Sequence, residues 1–406
     1  MSLRVFIGFF LKGTNNIAFI LPLLLELIFI YPFVVVDYLE LTWNYYAFLV
    51  FYFSIFSFQV ALLPLVNIGY KRLSIDIDTK ICTGLVFFAV LVYLIGVISN
   101  FEIAKILSFN MESYFSIANQ SAIERYSGQQ KLTIYYKIGS VFAYFSAFSI
   151  GFLLALPSQS DRVVSRFKII ALLFLFIAVL DSFLMAARAG MMMLSFCMLS
   201  SFFIVKQYLY SGRFVRLSLS LVIKLIITVL SIFLFFLIIQ VFRGGKSDFD
   251  LLPIINHLMT WFVGHIPAFS NWLKNYELFT VPSFGLNSFA GLADLFGAKN
   301  RAIGIYAGTD IGNDRISNIY TGLRPLIEDF SILGVGIIYF MFGLSFIKMF
   351  TKNGSLIFIF VNIAVVAYLS WSFVTSIFSY NTILLGYLLF LFVFYNSCNR
   401  SKLRVV

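Results

Sequence analysis

The sequence predicts an all-α polytopic membrane protein with about ten transmembrane helices and one large extracytoplasmic loop between the seventh and the eighth. Three observations predict it. First, its 406 residues are 61% hydrophobic and only 12% charged, with a mean hydropathy of +0.96, whereas soluble domains are about half apolar and about a quarter charged. One globule cannot hide that much apolar surface. Second, the apolar residues fall into runs of membrane length. Third, lysine and arginine concentrate in alternate connections between those runs.

A helix needs roughly 20 apolar residues to cross ~30 Å of hydrocarbon. Ten runs qualify: 16–36, 43–68, 80–99, 135–156, 168–186, 190–206, 217–240, 327–347, 355–375 and 379–397. The first follows Arg4 and Lys12 and has no small-residue cleavage site after it, so it reads as a retained helix instead of a signal peptide. Basic residues of short loops mark the cytoplasmic side. They occur as Lys71 and Arg72, as Arg162, Arg166 and Lys168, as Lys206, Arg213 and Arg216, as Lys348 and Lys352, and as Arg400, Lys402 and Arg404. The opposite connections are DYLEL at 37–41, the turn near Arg188 and SIFSYN at 376–381. Both termini of this multi-pass protein are therefore expected in the cytoplasm. Three regions follow: spans one to seven in 1–240, with an outer loop at 100–134; a large periplasmic loop at 241–325; and spans eight to ten in 326–406.

Several classes of function drop out. The net charge of +11 would fit a nucleic acid partner in a soluble protein, but here it resides in basic loops, and no nucleic acid is expected. There is no phosphate-binding P-loop and no glycine-rich dinucleotide turn, which argues against an internal ATPase. Asp76 and Asp78 resemble the paired aspartates of nucleotide-sugar transferases, yet they sit in a short basic loop and read as solvated. Cys82, Cys197 and Cys398 lie in or beside apolar runs and read as small buried hydrophobes. His257 and His265 are the only histidines, with no cysteine nearby, and make a poor metal pair. Neither a metal nor another cofactor is expected.

The large loop carries apolar content of its own. Residues 256–276, NHLMTWFVGHIPAFSNWLKNY, can form an amphipathic helix that lies on the membrane or folds back onto the spans. Pro253, Pro267 and Pro282 divide the loop into short pieces. PSFGLNSFAGLADLFG at 282–297 reads as a turn and a short helix, and 299–317 as a polar, glycine-rich loop near a substrate or a mobile cover. Arg188, Arg243 and Arg324 stand at the outer boundary of three hairpin ends, where basic charge is otherwise scarce. One boundary arginine can simply snorkel. Three together suit a ligand with a lipid tail and a diphosphate head, because the planar guanidinium matches phosphate oxygens.

The segment NIYTGLRPLIEDFSILG at 318–334 places Arg324, Glu328 and Asp329 at the mouth of span eight. Pro325 suits a first helical turn. Arg324 and Glu328, four apart, can pair, and both acids would sit near the positive helix end. Two readings stand: a charged helix cap, or a general base beside a phosphate-binding arginine.

That segment resembles the N-x-Y-T and D-F-G-x-x-G stretch of Wzy-type oligosaccharide repeat-unit polymerases, the O-antigen and capsule polymerases. MTWFVGHIPAFSNWL and FGLNSFAGLADLFG resemble the two segments before it in the same loop. LMAARAG resembles the arginine turn atop an earlier hairpin, and VFRGG the arginine that opens the loop. The likeness runs from about 181 to 345 by motif and over the whole chain by span pattern. Ser331 departs from it, standing where the family usually has glycine. The resemblance implies a GT-C-like glycosyltransferase of the bacterial inner membrane that acts on the outer face without metal or nucleotide sugar. An undecaprenyl-diphosphate-linked chain donates its glycan, with inversion, to another lipid-linked repeat. A chain-length regulator and a flippase are the partners it implies. The leaving diphosphate needs cations, for which Arg188, Arg243 and Arg324 come first and Arg315 next. The acceptor hydroxyl needs a base, for which Asp329 or Glu328 comes first and His265 second. Arg125, in SAIERYSG, adds a phosphate or sugar contact, and Trp261, Trp272 and Tyr320 are available to stack on sugars or to pack at the lipid interface. The rival readings are an O-antigen ligase, a lipid-linked oligosaccharide flippase and a non-catalytic scaffold.

Overall fold

A backbone in hydrocarbon must satisfy its own polar groups, which favours helices, and helices dominate here. The structure, a computed structural model, describes residues 17–67, 75, 77–101, 111–127, 129, 131–157, 161–209, 234, 237–238, 251–276, 281–298, 306–351 and 356–399. In order these form α1 (Ile17–Phe29), α2 (Pro32–Tyr38), α3 (Tyr45–Leu62), α4 (Thr79–Asn100), α5 (Met111–Tyr126), α6 (Ile134–Ala155), α7 (Asp161–Leu184) and α8 (Arg188–Leu209). Then follow α9 (Leu251–Val263), α10 (His265–Lys274), α11 (Ala290–Leu295), the strands β1 (Thr309–Asp310) and β2 (Ile316–Ser317), α12 (Leu323–Phe350), α13 (Ile357–Trp371) and α14 (Asn381–Asn399).

Eight apolar helices among the described residues are long enough to cross a membrane, which makes this a multi-pass membrane protein by length and composition. They match the predicted spans one to six, eight and ten. Predicted span nine appears as the shorter apolar helix Ile357–Trp371, and the run 217–240 lies outside the described residues. Span one is jointed: α1 ends at Phe29 and Pro32 opens α2, where a missing N–H costs nothing. Asn44, Asp78 and Thr133 cap α3, α4 and α6 by accepting backbone N–H groups of the first turn. Asp78 thus has a structural task that its loop position did not reveal. All three cysteines are buried thiols, none of them in a disulfide.

Helices approach closely where glycines permit it. α4 and α6 cross with Gly96 against Gly139, and a Cβ on Gly151 of α6 would strike the Met198 carbonyl of α8. α6 also packs on α14, α8 on α13, α3 on α12 and α1 on α3. Phenylalanines fill the gaps, as in the Phe148–Phe390 and Phe152–Phe360 stacks.

The connections at 39–44, 264–276, 281–298, 306–322 and 372–380 gather at one end of the bundle. Thr42 N–H donates to the Ile311 carbonyl at 2.9 Å, Asn44 Nδ2 to Ser270 O at 2.7 Å, and Asn271 Nδ2 to Asp310 O at 2.6 Å. Gly322 N–H donates to Ser372 O at 2.5 Å, and Ser376 Oγ to Ser288 O at 2.9 Å. The amphipathic stretch 256–276 folds back onto the spans instead of forming one surface helix. It breaks at Gly264 into α9 and α10, and Ile266, Ala268 and Phe269 of α10 are buried, with Phe269 4.9 Å from Phe51 of α3.

Candidate functional site

α12 begins at Leu323, not at 327, so Pro325 lies in its first turn while Glu328 and Asp329 lie in its second. The helix is broken at Ser331, whose φ of 65° and ψ of 174° fit glycine far better than serine. This is the position at which the resemblance expects glycine. The break turns three carbonyls toward the preceding loop. Tyr276 Oη donates to Ile327 O at 3.4 Å, Ser283 N to Glu328 O and Phe284 N to Asp329 O at 3.2 Å each. The first two turns of α12 are thereby bonded to the loop.

The two neighbouring acids face different surroundings. Asp329 is fully buried. Its Oδ1 accepts from Ser283 Oγ at 2.6 Å, Asn287 N at 3.0 Å and Asn287 Nδ2 at 3.1 Å, and its Oδ2 from Ser288 N at 2.7 Å. Donors from 283–288 occupy this carboxylate, and its visible work is to fold that loop. Glu328 instead pairs with Arg324, Oε1 to Nε at 2.9 Å, with the two side chains 22% and 18% exposed. The i,i+4 pair anticipated from the sequence is therefore formed.

Arg324 is also enclosed by rings. Its guanidinium carbon lies 3.9 Å from the Tyr306 ring centre, 4.4 Å from that of Tyr320 and 5.2 Å from that of Trp272. Tyr306 and Tyr320 flank the β-hairpin and meet edge to face at 5.1 Å, and Tyr320 Oη donates to Ala307 O at 2.9 Å. Burial pushes the Tyr306 phenol well above its ordinary range; Glu328 adds to the rise and Arg324 opposes it. Each ring in contact with the cation contributes about 0.5–2 kcal/mol depending on desolvation. Among the described residues the two terminal nitrogens of Arg324 and the second oxygen of Glu328 have no hydrogen-bond partner. The arrangement thus presents an oriented pair of cationic N–H edges beside a carboxylate, at the bundle end where the loops meet.

Arg315 reaches Thr260 Oγ1 of α9 at 3.5 Å. Trp261 packs edge to face on Phe373 at 5.7 Å, and Trp272 and Tyr320 pack on Arg324. Arg125 falls within α5 and Arg188 opens α8, placements of the backbone alone; Arg243 lies outside the described residues. His265 is 1% exposed, its ring nitrogens 3.0 Å from Phe262 O and 3.1 Å from Ile28 O. Burial lowers its pKa to about 4, against the two carbonyl contacts that raise it. The neutral ring donates through one of these nitrogens and the other is covered by a carbonyl, so neither is open to an acceptor hydroxyl. His265 borders an apolar cavity of about 420 Å³ between α1, α2, α8 and the α9–α10 corner, lined among others by Leu24, Ile28, Met192, Phe196 and Phe373.

Two features escaped sequence reasoning. Tyr306 sits in a polar, glycine-rich run with nothing to mark it. Asp181 lies inside α7 and receives Tyr93 Oη at 2.8 Å and Tyr136 Oη at 3.0 Å from α4 and α6. An ionisable residue within a predicted span is itself a signal, and it was there to be read in 168–186.

No family model, no curated protein and no solved structure matches the chain.

Proposed function

We propose that the chain polymerises lipid-diphosphate-linked oligosaccharide repeat units by inverting glycosyl transfer at the outer face of the bacterial inner membrane. The observation that carries this reading is the Arg324–Glu328 pair, enclosed by Trp272, Tyr306 and Tyr320 at the loop end of the bundle. The donor, an undecaprenyl-diphosphate-linked chain, places its diphosphate against the free N–H edges of Arg324. The rings hold the guanidinium plane fixed, so little reorganisation is needed as charge develops on the leaving group. The acceptor sugar hydroxyl attacks the anomeric carbon from the opposite side. Its C–O bond forms as the bond to the diphosphate breaks, and the lipid diphosphate leaves with the electron pair. The hydroxyl proton passes to Glu328, which the arriving diphosphate releases from Arg324. Asp329, occupied by loop donors, positions rather than reacts. The apolar cavity at His265 is of a size and character to take part of a lipid tail.

The test is replacement of Arg324 by Ala and by Lys and of Glu328 by Gln, in cells lacking the native gene. Surface glycan is resolved on a gel and membrane levels of each variant are checked. Inserted protein that yields only single-repeat glycan supports the reading, and loss with Lys as well points to the guanidinium fork. Long chains made by Arg324→Ala would refute it. Absence of any surface repeat would favour translocation or ligation.

A further inference from the structure

The loop 281–298 exposes apolar side chains although it belongs to no membrane span. Val281 is 88% exposed, Phe284 78%, Leu295 62% and Phe296 80%. Phe284 occupies left-handed backbone at φ 47°, followed by Gly285 at φ 99°, a turn that costs a bulky residue energy and here holds its ring outward. The loop carries no lysine or arginine, and Asp294 is its one acid. Apolar exposure of this density marks an interaction surface.

Its attachments show where that surface faces. Phe284 N bonds Asp329 O and the Asp329 carboxylate holds Ser283, Asn287 and Ser288, so the loop leaves from the outer turns of α12. Gly291 of α11 sits so close to Ser379 and Asn381 that a Cβ would clash with both, which seats the other end of the loop on the first residue of α14. Below the first attachment, α12 presents Leu333, Ile337 and Met341 at 72%, 62% and 60% exposure, one helical face. Below the second, α14 presents Leu388 and Phe392 at 46% and 68%. The exposed apolar side chains of the loop are thus anchored on the two helices that carry exposed apolar stripes, with the exposed Asp294 as the one charge among them.

We propose that the loop 281–298 is an interfacial membrane segment, with Val281, Phe284, Leu295 and Phe296 inserted at the acyl–headgroup boundary of the leaflet at the loop end of the bundle. This does not rest on the proposed activity. Neutral aromatic and aliphatic side chains on a short turn-and-helix unit suit that boundary. Insertion also places the backbone turn bonded to Asp329 at lipid depth, one residue from the Arg324–Glu328 pair.

The test uses the full chain in nanodiscs of phosphatidylethanolamine and phosphatidylglycerol, one protein per disc. Nitroxide labels go on Val281→Cys, Phe284→Cys and Phe296→Cys, with Ile337→Cys as the lipid reference and Asn318→Cys, exposed beside the hairpin, as the aqueous one. The native cysteines are buried, and the unsubstituted protein sets their background. Collisions with molecular oxygen and with a neutral water-soluble nickel chelate are measured. The expected result is loss of chelate collisions and gain of oxygen collisions, as at 337, at two or more loop positions. Chelate access equal to that at 318 would overturn the proposal, and so would low access to both probes, which would mean that protein covers the patch.

Discussion

Asp329→Asn separates structure from chemistry at the mouth of α12. The carboxylate is fully buried and accepts three hydrogen bonds at Oδ1 and one, from Ser288 N at 2.7 Å, at Oδ2. An amide preserves the shape and can keep its oxygen toward the three donors. Its NH2 group then faces the Ser288 N–H, donor against donor, and rotating the amide sets it against three donors instead. The bond lost is charge-assisted, worth about 1.5–3 kcal/mol, and leaving a buried N–H unsatisfied costs about 1–3 kcal/mol, with overlap between the two. The net cost to the loop is about 2–4 kcal/mol. At 1.36 kcal/mol per tenfold the amides of 283–289 should exchange roughly 30 to 1,000 times faster. Hydrogen exchange of the protein in nanodiscs reads this directly. Unchanged protection in that peptide refutes the clamp. If polymer length also collapsed while protection held, Asp329 would be the base and Glu328 would not.

Other outcomes are equally specific. Burial lowers the pKa of His265 from 6.5 to about 4. The stability contributed by its neutral ring is therefore complete above about pH 6.5 and is lost as pH falls toward 4, by about 3 kcal/mol in all. Thermal unfolding in detergent at pH 7 and 4.5 should show that loss in the native protein and much less in His265→Gln; equal losses would exclude the ring as the source. Ser331→Gly removes backbone strain of about 1–3 kcal/mol against about 0.5–1 kcal/mol of added chain entropy. The midpoint should rise, whereas Ser331→Val should lower it, and a lower midpoint with glycine would contradict the strained turn. Gly151→Ala drives a methyl group into the Met198 carbonyl and should cost about 1–3 kcal/mol or more. Gly84→Ala, with nothing within 4 Å of the new atom, is its neutral control, and equal midpoints for the two would put the α6–α8 crossing in doubt.

The spans were legible because hydrocarbon imposes a length and a composition on each helix, so a count of apolar residues finds them one at a time. The pairing of Arg324 with Glu328 was legible for a similar reason, since helical spacing alone brings them together. The rings around Arg324 were not. Trp272 comes from α10 and Tyr306 and Tyr320 from the two flanks of the β-hairpin, and no local period links them. Nor did adjacency separate Glu328 from Asp329: only the loop at 283–288, folding back from more than 40 positions away, decides which acid is occupied. The joint between α9 and α10 shows the same limit. An amphipathic pattern names a face, while Gly264 and the packing of Phe269 on Phe51 choose what it meets.

The interruption at Ser331 also divides α12 mechanically. Its long inner portion is a rod packed on α3 and α13, and it is the part on which bilayer thickness bears. Its first eight residues, Leu323 to Phe330, are tied through carbonyls and Asp329 to Tyr276 and the loop at 283–288 and through Gly322 to the end of α13. Arg324 and Glu328 therefore travel with the cap and not with the rod. A change in bilayer thickness that bears on the rod reaches the two half-buried charges only across the break.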